Sequence, residues 1–275
     1  MFDWLKGQSE EERVALHPFP EIANPEDDFY PSNGWLATGI RSLEQLVAFQ
    51  RALQAGHPES RIVATLDNRY QAEYTSSHSV QKHGFDQVTR ASAPDAPAEW
   101  FDGEPDGFAH GRKAFPYRLA NLRRKCAEAG MISLKGQLPW SDPYVSGNDL
   151  LSIAKRPDTF LMLDREKDIA LMSVPAATGA DALAVLPNGY FSGDLDPMQN
   201  YALLSLLEKR HALSLFGIGA STLGMWREES LGGDEAALVA STLCAVYFDR
   251  PEGAEEALAR LLTGKREVLY RYTES

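Results

Sequence analysis

The sequence predicts an α/β or α+β protein of two mixed-sheet subdomains with flanking helices, and three observations predict it. Short apolar runs of strand length alternate with stretches whose apolar residues recur every three or four positions. Helix-start chemistry stands before several of those stretches. A length of 275 residues with 44% hydrophobic content is enough to fill a core without a disulfide or metal staple.

Residues 1–33 are acidic and carry Pro18, Pro20, Pro25 and Pro31, which suits an arm lying across a domain, with ordered structure beginning near Gly34. Residues 34–143 then read as an N-terminal α/β domain. Residues 35–40 form a strand, and Ser42-Leu43-Glu44-Gln45 is a capping box that starts a helix. Leu43, Leu46, Val47, Phe49, Gln50 and Leu53 put most apolar residues on one stripe, Gly56 ends it, and residues 61–66 return as a buried strand. That is a β-α-β unit. His78 and His83 flank what reads as a polar loop, and residues 92–111, rich in Ala, Pro, Asp and Gly, read as a long surface loop. Phe115, Leu119, Leu122, Cys126 and Ala129 mark a helix closed by Gly130, with its cations outward, and residues 131–134 suggest a strand.

Residues 144–275 read as a C-terminal α+β domain, with the boundary near Pro143. Residues 146–149 open a short helix, and residues 159–163 and 169–174 are expected to pair across a solvent-facing tip at 164–168. Asp196, Pro197 and Gln199 give the cap, first position and third position of a helix, followed by a buried strand at 213–218. Two more helices, 234–248 and 251–262, precede a terminal strand at 267–272.

Charge limits function. Asp plus Glu (39) exceed Lys plus Arg (27), a net charge of -12, so a phosphate backbone is repelled and general nucleic-acid binding is not expected. No segment approaches the length of a membrane span, and no basic leader precedes one. Cys126 and Cys244, isolated and apolar in setting, fit a reducing cytoplasm and cannot alone build a zinc site; no metal or cofactor is expected. Residues 112–125 run against the trend with six cations and no acid, and Arg118, Arg124 and Lys125 are the candidates there for an anion or partner patch.

Several motifs approach chemistry without completing it. Asp194-Leu195-Asp196 has the alternate carboxylates that hold a divalent cation and sugar-nucleotide phosphates, although Asp196 is already a helix cap. Gly217-Ile218-Gly219-Ala220-Ser221 follows a buried strand where a phosphate loop or nucleophile elbow would sit, yet neither glycine template is filled. Pro157-Asp158 with Glu166-Lys167 partly matches a nuclease pattern, but adjacent residues of a strand point opposite ways. The six histidines show no metal spacing, and His211 follows a Lys-Arg helix end where the dipole favours imidazolium.

The stretch Leu186-Pro187-Asn188-Gly189-Tyr190-Phe191, Asp194 to Pro197, Asn200 to Leu203, Leu207-Glu208 and Leu215 to Ser221 resembles the core of an uncharacterised bacterial family, a domain of unknown function, over residues 159–226. The resemblance implies a bacterial cytosolic protein and transfers no catalytic residue. The acidic, two-part character is also similar to that of immunity and accessory proteins of bacterial toxin systems. The leading expectation is a non-catalytic protein that binds a protein partner, of basic character, through acidic or aromatic surface. The alternative is a metal-assisted hydrolase or transferase acting on a phosphate- or sugar-containing small molecule, with Asp194, Asp196 and Ser221 as its working groups and Gly217 and Gly219 shaping the turn.

Overall fold

Helix-capping residues and two-sided apolar strands decide the architecture across residues 14–21, 30–141, 147, 149–163 and 167–273, the part that this computed structural model describes. Strand β1 (Ala15–Pro18) pairs antiparallel with β2 (Gly34–Thr38), so order begins before Gly34. Val14 and Phe19 are buried at its ends; part of the expected arm is an edge strand, and the remainder lies outside the described residues. Ser42 Oγ accepts the Gln45 N–H at 3.1 Å to start α1 (Leu43–Ala55), while Gln45 Oε1 reaches the Arg41 N–H, one residue earlier than a capping box requires. Leu46, Phe49 and Leu53 on α1 are each at most 4% exposed. Burial of such a side chain stabilises by about 1.5–3 kcal/mol.

Next come β3 (Arg61–Thr65), α2 (Arg69–His83), the hairpin β4 (Gln87–Thr89) and β5 (Asp106–Phe108), and α3 (Phe115–Ala129). His78 and His83 thus sit on a helix in place of the expected loop. Residues 92–111 are not only surface loop: Val88, Ala93, Trp100, Phe101, Ala109 and Ala114 make a small buried cluster of their own. The predicted strand at 131–134 is absent, and Met131 is 99% exposed. After β6 (Leu138–Pro139) come α4 (Leu150–Lys155), capped by Asp149, and the single turn α5 (Pro157–Phe160). The latter overturns the strand expected from Thr159. Pro157 supplies the first helical position and Asp158 the first-turn acid, signals that a short apolar run does not outweigh.

The chain continues through β7 (Ile169–Val174), α6 (Gly179–Ala182), α7 (Pro197–His211), β8 (Ser214–Ile218) and β9 (Thr222–Trp226). It ends with α8 (Gly233–Cys244), β10 (Tyr247–Phe248), α9 (Ala254–Leu262) and β11 (Glu267–Arg271). The main sheet has seven strands in the order β1-β2-β7-β3-β8-β9-β11, and β7 is antiparallel to both β2 and β3. The mixed sheet and flanking helices of the expected α/β class are there. Strands from 34–143 and from 144–275 enter one sheet, and Pro143 lies outside the described residues.

Both sheet faces are covered, which is why the central strands read as continuous apolar runs. Ile62, Ala64, Ile169 and Leu171 face the core under α1, and Val63, Ala170, Met172 and Val174 face the larger core of α3, α7, α8 and α9. The period of two along each strand assigns neighbours to opposite cores.

Candidate functional site

Two neighbouring regions at the carboxyl ends of β3 and β8 hold the residues singled out by sequence. The first is a polar knot around Asp67, which lies two residues past the end of β3 and has a positive φ of 28°. Its carboxylate accepts N–H groups from Ala220 at 2.6 Å, Ser221 at 3.1 Å and Asn68 at 2.7 Å, and the Ser221 hydroxyl at 3.1 Å. Ser221 therefore spends its hydroxyl on the carboxylate that shapes its own turn. Gly219 is required by the same contact, because a Cβ there would fall 2.4 Å from an Asp67 oxygen; at Gly217 it would meet the Leu66 side chain at 2.6 Å. The glycines make room for packing and leave no cradle of amides for a phosphate.

The loop carrying Asp194 and Asp196 does meet this turn. Asn188 Nδ2 donates to Gly219 O at 3.2 Å, and Asn188 Oδ1 accepts the Thr75 hydroxyl at 2.7 Å. Asn200 Nδ2 donates to Leu195 O at 3.0 Å, and Tyr270 donates its hydroxyl to Asn200 Oδ1 at 3.0 Å. Tyr272 lies within 2.7 Å of both Gly219 O and Ala220 O. Burial, followed by the charges of Asp67 and Asp194, pushes its phenol well above the ordinary tyrosine value. The convergence expected of an enzyme is thus present, but the working atoms are occupied. Asp194 accepts the Phe191 N–H at 3.1 Å, and Asp196 accepts the Gln199 N–H at 2.8 Å while Gln199 Oε1 accepts the Asp196 N–H, a complete capping box. Among the described residues no group of three or more His, Cys, Asp or Glu side chains is arranged to hold a metal ion.

Arg118, Arg124 and Lys125 on α3 differ in setting. Arg118 is half-buried; desolvation lowers its guanidinium to about 10 against the opposing pull of Asp86, and its Nε has no hydrogen-bond partner. That corrects the outward direction expected for every cation of α3. Arg124 is exposed and donates to Glu128 Oε1 at 2.6 Å along the helix, and Lys125 is half-buried. Arg123 instead makes the strongest pairing of α3, two hydrogen bonds at 3.0 and 2.9 Å to the buried Asp181.

Lys167 corrects the solvent-facing tip, since its Nζ donates to Asp67 O and Leu161 O at 2.5 Å each; residues 164–166 lie outside the described residues. Burial lowers that amine to about 8 against the opposing charge of Asp67. His211 ends α7 as expected. Its imidazole is 7% exposed, however, and desolvation moves its pKa down, outweighing the pull of Glu235.

The second region is the outer face of α2, which sequence reasoning missed. Asn68 caps the helix by accepting the Gln71 N–H, and Gly84 closes it in the left-handed conformation. Its buried face consists of Ala72, Thr75, Ser76, Ser79 and Val80, too polar to show a hydrophobic period. Tyr70 and Tyr74, four residues apart, are 68% and 56% exposed. Ring contacts run on from Tyr74 to His78 (4.3 Å between centroids), to Tyr190 (5.2 Å), and to Phe191 (5.1 Å), itself 52% exposed. Lys82 ties the loop to the helix by donating to Tyr190 O at 2.8 Å. A shallow cavity of about 360 Å³ opens between His78, Gln81, Lys82, Tyr190, Phe191 and Ser192. The cap pair Asn68 and Gly84 and the Tyr70, Tyr74, His78 spacing were the available signals. In comparisons with protein-family models, curated proteins and solved structures, the chain matches none.

Proposed function

We propose that this chain is a non-catalytic bacterial cytosolic protein that binds a basic protein segment on the aromatic face of α2 and the adjoining Tyr190-Phe191 loop. The observation that carries the reading is the unbroken run of ring contacts from Tyr74 to Phe191, exposed at both ends and half-buried at His78 and Tyr190. Contiguous exposed apolar area of this kind marks interaction sites, and aromatic residues dominate the energetics of protein interfaces. Ring faces attract guanidinium and ammonium groups, and a net charge of -12 steers a cationic partner toward the molecule. Lys82 over the Tyr190 ring, 5.5 Å from its centroid, is an internal example of that contact. The metal-assisted alternative has less support, because Asp194 and Asp196 are committed to backbone amides and the Ser221 hydroxyl to Asp67.

The test titrates the whole chain with an arginine-rich peptide and with an acidic peptide of equal length, at low and high salt. The reading expects saturable binding of the basic peptide alone, weakened by salt and reduced at least about tenfold by Tyr74→Ala with Tyr190→Ala. Equal binding of both peptides, or no change in the double variant, overturns it.

A further inference from the structure

The hairpin of β4 and β5, which the reading above does not use, has one open edge. Its register sets Val88 opposite Gly107, and two residues to either side Ala109 N–H donates to Asp86 O at 2.7 Å and Arg90 N–H to Pro105 O at 3.1 Å. Antiparallel strands alternate hydrogen-bonded and non-bonded pairs, so Asp106 and Phe108 turn their N–H and C=O groups away from β4. Among the described residues nothing bonds to those groups. On the opposite edge, Gln87 O accepts from Asn121 Nδ2 at 2.7 Å and Thr89 N–H donates to Ser92 Oγ at 2.8 Å, so β4 is occupied where β5 is not. We infer that β5 takes up an extended basic protein segment as a third strand.

The edge is fixed before any partner arrives. Val88 and Gly107 face inward, and a Cβ at Gly107 would fall 1.9 Å from Trp100 O, so the turn at 98–101 backs the strand directly. A strand already held in place costs little further ordering on binding. Its outward groups, on residues spaced about 6.8 Å apart, match alternate residues of an incoming strand, and main-chain bonds supply the affinity in this mode of recognition.

Side chains select the partner. Gln87, Thr89, Asp106 and Phe108 form the outer face, with Phe108 58% exposed. Glu99, Asp102, Glu104 and Asp106 are all exposed and make no ion pair among the described residues, while Asp95 shares a cleft with Arg112 and Lys113. Arg90, opposite Pro105 across the hairpin, lies 4.5 Å over the Phe101 ring. Four carboxylates against that one guanidinium attract lysine and arginine. The same charge opposes pairing with a second copy of this chain, which would bring acid against acid.

The probes are a labelled peptide of alternating lysine and valine, the same peptide methylated at every backbone nitrogen, and one of alternating glutamate and valine. Each is titrated into the chain carrying Tyr74→Ala and Tyr190→Ala, and amide hydrogen exchange is read at Asp106 and Phe108. The expected result is saturable binding of the lysine peptide with slowed exchange at those two amides. Binding should be at least about tenfold weaker for the methylated and glutamate peptides, and for the lysine peptide in Asp106→Lys. That variant folds because the side chain it replaces is exposed and unpaired; if the double tyrosine variant does not fold, the parent serves, since exchange is read on β5 alone. Equal binding of the methylated or glutamate peptide, unchanged exchange, or unchanged binding in Asp106→Lys overturns the assignment. Because the chain titrated lacks Tyr74 and Tyr190, failure here leaves the reading of α2 standing.

Discussion

The Asp67 knot and the aromatic face of α2 begin two residues apart in sequence and spend their side chains in opposite ways. In the knot, each polar group that looks reactive faces a backbone amide, a carbonyl or another member of the knot. On α2, rings that would ordinarily be buried stand outside, held in sequence by one another. In the first region polar groups serve construction, and in the second aromatic rings face outward.

The largest expected effect comes from breaking the knot. Asp67→Asn replaces an acceptor of three N–H groups with an amide that carries donors of its own, and should cost about 3 kcal/mol in urea unfolding. If the variant unfolds at the parent's denaturant concentration, the knot is not structural and its carboxylate is available for other work.

Asp181→Asn should follow at about 2 kcal/mol, since the carboxylate loses charge-assisted bonds from Arg123 and Tyr201. Burial alone would raise the Asp181 pKa, but hydrogen bonds from Arg123, Thr178 and Tyr201 outweigh it and hold the value below the ordinary carboxylate. A depressed folded pKa contributes stability above the unfolded value and loses it as pH falls through the folded one. Unfolding measured across the acid range should therefore show a steeper loss for the parent than for Asp181→Asn.

Smaller still is the effect at the aromatic face. Tyr74→Ala should leave unfolding within about 0.5 kcal/mol of the parent, because more than half of the side chain is already in water. A larger loss would move Tyr74 from the outward-facing region into the architectural one. Least affected is cysteine reactivity: burial, then the charge of Asp196, pushes the Cys126 thiol up to about 11. Its modification by a thiol reagent at neutral pH should be at least about tenfold slower than that of a free cysteine. A rapid reaction would show an activated thiol beside the helix cap.

The legible parts of the fold were the local ones. Ser42 and Asp196 announce their helices through side-chain to backbone bonds three residues long, and the double-sided apolar runs of β3 and β8 mark the sheet centre. Helix α2 was not legible, because small hydroxyl residues fill its buried face and leave no apolar stripe. The fate of Ser221 was hidden for another reason: Asp67 is 154 residues away, and no local pattern reports which carboxylate a turn will meet.

The position of β7 has a consequence for synthesis. Because it is wedged between β2 and β3, the edges of those two strands that face each other have no partner until residue 174 has emerged from the ribosome. The first half of the polypeptide therefore waits, its helices formed but its strands unpaired at that seam, for a segment made more than a hundred residues later. Chains halted before that point should be the ones that chaperones and proteases capture.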